Sequence, residues 1–176
     1  MKSKGFWWVA QIGVLLAIST GALAQTSTQV KISGLFNDYT PASVGGPWEV
    51  RGEWSVTVKG DSGKADFSAA LTMARSDLGV TLNNGDLNTP ASRNAHTHHL
   101  TLVDGTVTPL ANGFRVSGMA KVTGNGNYPP PFGANSTVQI DITGGNSVTL
   151  SNIKLTFAGD AATHFGSQPV NGVVRK

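Results

Sequence analysis

Three of the four histidines in this 176-residue chain lie within four consecutive positions. His96 and His98 are two residues apart, a spacing that places both imidazoles on the same face of a β-strand. Imidazole nitrogens are common ligands of Zn²⁺, Cu²⁺ and Ni²⁺, and two adjacent rings can approach one ion. A stable site needs a third ligand, which the distant His164 could supply. The spacing therefore predicts a transition-metal site formed by His96, His98 and His164.

Other polar residues near these histidines could complete or orient the site. His99 and Asp77 become candidate ligands if the strand begins one residue later than expected. Asp160 and Gln168 flank His164, and either could hold an imidazole by a second hydrogen bond, as carboxylates often do for metal-bound histidines. The sequence thus leaves the complete ligand set open.

The same cluster is compatible with two roles that need no metal. A buried imidazole nitrogen without a partner costs about 1–3 kcal/mol, so rings at a strand end commonly pair with water or with polar neighbours such as Ser92 and Asn94. The imidazoles could also act as general acids or bases. These residue types fit histidines with a purely structural role at a strand end, a metal-binding protein and a metal-dependent enzyme. The sequence leaves open whether the protein is a catalyst.

Residue types that are absent or scarce narrow the chemistry. The chain has no cysteine, which excludes disulfides, thiolate metal sites and a cysteine nucleophile. Its two glutamates, Glu49 and Glu53, are four residues apart on a predicted strand and therefore roughly 13 Å apart, too far for the usual carboxylate pair of a glycoside hydrolase. Lys2 and Lys4 lie in a predicted leader, and without them the 13 basic residues fall to 11, one more than the 10 acidic residues. So small a net charge predicts no nucleic-acid partner.

The first 24 residues have the pattern of a secretory signal peptide. A positively charged start is followed by residues 6–18, which are almost wholly apolar, and then by the small residues Ala22 and Ala24 at the positions that signal peptidase requires. The apolar stretch is short for a membrane span, and no later stretch is apolar enough to cross a bilayer as a helix. We therefore predict cleavage after Ala24, a secreted or periplasmic protein, and a single domain over residues 25–176.

The elements that must position the histidines are β-strands. From Trp48 to Lys59 apolar or small residues alternate with polar ones, which is the period of a strand with one buried face. A turn at residues 60–63 leads into a second alternating run that reaches Met73, and the two runs predict a long hairpin. Runs rich in Val, Ile and Thr continue through the rest of the chain.

This pattern predicts an all-β domain, either a single antiparallel β-sandwich or a small closed β-barrel of seven or eight strands. The apolar phase shifts by one residue near Ser151 and Asn152. A shift of one residue would turn every following side chain to the other face, so we expect a β-bulge at this point.

The phase of the histidine strand predicts where its rings lie. Leu100 continues the alternation that begins at His96 and His98, so we expect both imidazoles to point inward at one mouth of the sheet. Two long loops, residues 77–94 and 124–135, interrupt the strand pattern. Loops of this length often cover a site, although they can also be plain connectors.

Two other functions fit an exported β-domain. One is a non-enzymatic binding module for a small apolar molecule or glycan, because small barrels hold one ligand in their mouth; the residues that would line it are Trp48, Trp54, Phe67 and Phe114. The other is a small outer-membrane barrel, which the length permits but which needs spanning strands of about 9–11 residues with an apolar outer band. The sequence does not indicate an oligomeric state.

Overall fold

The computed structural model describes residues 29–44, 47–74, 95–124, 132–133, 135–144 and 150–175. Several sequence predictions fall outside these residues: the signal peptide, the 77–94 loop with Asp77, Ser92 and Asn94, and the turn that follows Gly144.

Eight antiparallel strands close into one barrel, in which each strand pairs with its neighbours along the chain and the last strand pairs with the first. The strands are β1 (Gln29–Tyr39), β2 (Glu49–Lys59), β3 (Lys64–Ala74), β4 (Ala95–Leu110), β5 (Gly113–Thr123), β6 (Asn135–Gly144), β7 (Leu150–Ala158) and β8 (Val170–Val174). The predicted all-β class is confirmed. Of the two architectures left open by the sequence, the structure has the closed barrel.

The predicted hairpin of β2 and β3 shows how sequence alternation becomes a core. Val50 lies opposite Met73, and Val56 lies opposite Phe67. These four side chains are buried inside the barrel, while the intervening residues on the outer face are mostly polar or charged. Gly63 closes the turn between the strands with a positive φ of 64°, a conformation that glycine adopts without steric cost.

The predicted bulge is also confirmed. Thr143 of β6 lies opposite Asn152 of β7, whereas the next residue, Gly144, lies opposite Leu150. Ser151 is therefore the extra residue on β7. Its insertion lets apolar residues on both sides of the phase shift face the interior.

The two ends of the barrel differ in the length of their connections. Short turns join β2 to β3 and β4 to β5 at one end. The opposite end, here called the mouth, carries the long connections, including the one between β7 and β8, which contains the four-residue helix α1 (Ala162–Phe165). In the described part of the chain, no helix is long and apolar enough to cross a membrane.

The inward phase of β4 can be tested with two adjacent residues. Leu102 is 1% exposed and Val103 is 64% exposed, because successive residues of a strand point to opposite faces. We expect Leu102→Ala to lower the free energy of unfolding by about 2–5 kcal/mol and Val103→Ala to change it by less than about 0.5 kcal/mol.

Urea unfolding followed by circular dichroism measures both variants. A larger loss for Val103→Ala than for Leu102→Ala would mean that β4 has the opposite phase.

Candidate metal centre

The Nε2 atoms of three histidines converge at the mouth of the barrel. His164 Nε2 lies 3.0 Å from His96 Nε2 and 3.1 Å from His98 Nε2, and a ligand atom from each of the three residues lies within 4.8 Å of the others. The predicted meeting of His96, His98 and His164 is therefore confirmed as geometry. The three residues are placed so that they could hold a metal ion.

Strand β4 positions two of the rings through its register. His96 lies opposite Met73 of β3, and His98 lies opposite Leu71, so both imidazoles share the inward face with the core. His98 is only 1% exposed. His99 lies between two inward positions and is exposed on the outer face, which rules out the later strand start that would have made it a ligand.

His164 reaches the same point from the connection between β7 and β8. Gly159, with a positive φ of 67°, turns the chain into a short 3₁₀ segment, Gly159–Ala161, that continues into α1. The hydroxyl of Thr163 donates a hydrogen bond of 2.6 Å to the carbonyl of Asp160, which tightens this turn. The strand pattern of the sequence did not predict this helical turn. Its sequence signal is the pair of glycines that flank it, Gly159 and Gly166.

Aromatic packing fixes α1 against the barrel. Phe165 is buried and stacks on Phe157 of β7, with ring centroids 4.1 Å apart and planes 11° apart. His164 is the residue immediately before Phe165, so burial of the phenyl ring positions the neighbouring imidazole over the mouth. Stacking of this kind is worth about 0.5–1.5 kcal/mol beyond the area that it buries.

One hydrogen bond decides which nitrogen of His98 is available as a ligand. His98 Nδ1 lies 3.1 Å from the carbonyl oxygen of Thr123, at the end of β5. A carbonyl only accepts, so Nδ1 carries the proton and donates it, which leaves a lone pair on Nε2. This is the arrangement by which backbone carbonyls orient metal-binding histidines. The side chains of Asp160 and Gln168, which the sequence suggested for this role, are exposed.

In the part of the chain that the structure describes, three aromatic rings surround the imidazoles. The ring of Trp48 meets that of His96 edge-on at a centroid distance of 4.9 Å. Phe132 lies 5.8 Å from His98 and 5.5 Å from His164, and Phe165 lies 5.1 Å from His98. Phe132 belongs to the predicted 124–135 loop, part of which therefore covers the site. The apolar walls lower the local dielectric and strengthen every electrostatic interaction among the rings.

Burial keeps the rings neutral. It lowers the pKa of His98 to about 4, with the neighbouring His164 and His96 lowering it further by repulsion between positive charges. Burial, followed by repulsion from His96, lowers the pKa of His164 to about 4, and burial also lowers the pKa of His96. Metal binding requires deprotonated nitrogens, so all three rings are prepared to bind an ion at neutral pH.

The two short nitrogen separations, both of which involve His164, are close to those found around a small divalent ion, and all three ligand atoms lie within 4.8 Å of one another. With metal–nitrogen bonds of 2.0–2.1 Å in a tetrahedral site, two ligand nitrogens lie about 3.3 Å apart. The observed separations of 3.0 and 3.1 Å are only a few tenths of an ångström shorter. Each neutral imidazole carries one proton, and the proton of His98 is on Nδ1. The three Nε2 atoms that face one another therefore carry at most two protons, and at least one of these atoms has a lone pair. A bound cation would satisfy all three lone pairs together.

The lowered pKa values predict that the metal-free protein loses stability in acid. For each ring the folded-state pKa lies below its ordinary value of 6.5, so the unfolded chain binds protons first as the pH falls. We expect the free energy of unfolding to decrease from about pH 6.5 down to about pH 4, where the loss ends because the folded state is protonated as well.

Urea unfolding with a chelator present, repeated across this pH range, measures the effect. His98→Gln should flatten the profile, while His99→Gln, which alters an exposed outer side chain, should keep the wild-type slope. Equal slopes for wild type and His98→Gln would contradict the prediction.

Comparison of the chain with protein-family models, with curated proteins and with solved structures found no match.

Proposed function

We propose that this protein is an exported β-barrel that binds one divalent transition-metal ion through Nε2 of His96, His98 and His164. The observation that carries the proposal is the convergence of three Nε2 atoms, one of which has its lone pair fixed by the bond from His98 Nδ1 to the Thr123 carbonyl. The proposal unites the exported β-domain expected from the sequence with the geometry of the mouth.

The surroundings of His98 favour metal binding over imidazole nitrogens that are simply hydrogen-bonded to water. Its ring is 1% exposed, and its Nε2 faces another imidazole rather than solvent. Without a cation, at most one of the two short Nε2–Nε2 contacts of His164 can be a good hydrogen bond, because its Nε2 offers either one proton or one lone pair. The other contact is then unfavourable in an apolar pocket. Metal coordination removes this unfavourable contact, whereas hydration would require His98 to face outward.

The ligand set indicates which ions to test. Three imidazoles suit Zn²⁺, Cu²⁺ and Ni²⁺, and among divalent ions the intrinsic order of affinity places Cu²⁺ highest. Three protein ligands leave a coordination position for water or another group, as in catalytic zinc sites. A metal-dependent enzyme is therefore the natural extension of the proposal if a substrate reaches that position.

Export rests on the amino-terminal pattern. A leader with a positive start, an apolar stretch and Ala22-Leu23-Ala24 is typical of secreted and periplasmic proteins. The outer face of β2 carries the charged residues Arg51, Glu53 and Lys59, which supports contact with water over the outer-membrane alternative.

The metal proposal is tested with single histidine variants. One equivalent of Zn²⁺, Cu²⁺ or Ni²⁺ should bind, and at a free concentration of about 100 times Kd it should add about 2.7 kcal/mol to the free energy of unfolding. We expect His96→Ala, His98→Ala and His164→Ala each to weaken affinity by at least about 10–100-fold.

Elemental analysis of protein purified without a histidine tag, together with calorimetric titration, measures stoichiometry and affinity. His99→Ala is the matched control, because it removes an exposed imidazole from the same strand. Equal losses in His99→Ala and His98→Ala, or no binding by the wild type, would refute the proposal.

A second candidate function, binding of a small apolar molecule, is supported at the other end of the barrel. A cavity of about 600 Å³ lies there, lined mostly by apolar side chains: Val30, Ile32, Val58, Val107, Leu110, Ala111, Phe114 and Leu150, together with Asn112 and Gly113. Of the aromatic residues expected to line a ligand cavity, Phe114 does so. Trp54 and Phe67 are instead buried in the core, and Trp48 packs on His96.

A carboxylate introduced on β4 tests this cavity. Val107 lines it, while Val103 lies on the outer face of the same strand. We expect Val107→Glu to abolish binding of the uncharged fluorescent probe N-phenyl-1-naphthylamine, because a buried charge is strongly disfavoured. Val103→Glu should bind as the wild type does. Fluorescence titration measures both, and equal binding by the two variants would exclude the cavity as the site.

A further inference from the structure

A methionine lies beside the three histidines on the inner wall of the barrel. Met73 of β3 is directly opposite His96 of β4, and it is 0% exposed. Residues directly opposite each other in an antiparallel pair point to the same face, with Cβ atoms about 4.5–5.5 Å apart. A thioether is therefore placed next to one of the proposed metal ligands, on the interior side of the mouth.

The side chains are long enough for a shared ion. The expected separation of the two Cβ atoms is about 4.5–5.5 Å. The methionine sulfur and the histidine Nε2 each lie further from their own Cβ than half of this separation, so both atoms can reach a common point between the strands. Methionine also has three rotatable side-chain bonds, so its sulfur can adapt to a position set by other groups. His164 approaches from α1 and the other two imidazoles from β4, so a ligand from β3, the neighbour of β4, would approach from a third element of the fold.

Packing alone does not require sulfur at this position. Leu71, which lies opposite His98 two residues earlier in β3, fills the equivalent place with a hydrocarbon side chain. A methionine here provides volume and, in addition, a soft neutral donor. Met119 of β5 is 61% exposed on the outer face and therefore serves as the control for substitution of Met73.

We infer that the thioether of Met73 is the fourth ligand of the metal centre and makes it selective for copper. This inference rests on the proposed function and specifies its metal. In a four-coordinate site the thioether takes the coordination position that three imidazoles alone would leave to water. A thioether brings no negative charge to a divalent ion, but its polarizable sulfur is a favourable partner for Cu⁺. Three imidazoles and one thioether together accommodate both Cu⁺ and Cu²⁺, and the thioether strengthens binding of Cu⁺ most.

Replacement of each methionine by leucine tests the assignment. Leucine and methionine have similar volumes, and the exchange is usually tolerated in a core. We expect Met73→Leu to weaken Cu⁺ affinity by about tenfold or more while Zn²⁺ affinity changes much less, and Met119→Leu to leave both affinities as in the wild type. Competition titrations with chromophoric chelators, under anaerobic conditions for Cu⁺, measure the four constants.

A second measurement does not depend on any substitution at position 73. In copper-loaded protein that contains selenomethionine, X-ray absorption at the copper edge should detect a selenium neighbour near the usual metal–sulfur distance of about 2.3 Å or somewhat beyond it. The signal should persist in Met119→Leu, because that variant keeps Met73, the methionine beside the histidines.

The outcomes separate the inference from the proposed function. Copper bound by nitrogen neighbours alone, or a folded Met73→Leu with the wild-type ratio of Cu⁺ to Zn²⁺ affinity, would overturn the role of Met73 and leave the three-histidine site standing. Failure of the wild type to bind any of these ions would refute the proposed function itself. A selenium neighbour lost only with Met73 would establish the ligand.

Discussion

The inward phase of β4 is the constraint on which the candidate site depends. Leu100 and Leu102 are buried, and each contributes roughly 1.5–3 kcal/mol by leaving water. Because side chains alternate strictly along a strand, this burial also forces His96 and His98 to face inward. A shift of one residue would expose both leucines and would turn the imidazoles out, so the apolar core and the polar cluster are secured by the same register.

The cluster makes the mouth less stable than an apolar mouth would be. Burial of the imidazoles lowers their pKa values, which means that the fold tolerates groups that would be solvated more favourably in water. The hydrogen bond from His98 to the Thr123 carbonyl and the packing of Phe132 and Phe165 around the rings offset part of that cost. Arrangements of this kind are typical of functional sites, where perturbed titration and convergent geometry occur together.

The two ends of the barrel are suited to different chemistry. At the mouth, long connections bring His164 and Phe132 over the opening and surround nitrogen ligands with aromatic rings. At the opposite end, apolar side chains such as Phe114 and Leu150 line an open cavity. The packed interior between them, which includes Trp54 and Phe67, keeps the two ends apart, so a ligand at one end need not enter the other.

The sequence alone determined the strands, the long hairpin, the bulge at Ser151 and the inward direction of His96 and His98, because each follows from local alternation of apolar and polar residues. Tertiary structure decided what depends on distant contacts. Closure into a barrel required β8 to pair with β1, and the position of His164 required α1 to dock through Phe165 on Phe157. The Thr123 carbonyl had no sequence signal, because every residue carries a carbonyl and only the fold brings one to within 3.1 Å of His98 Nδ1.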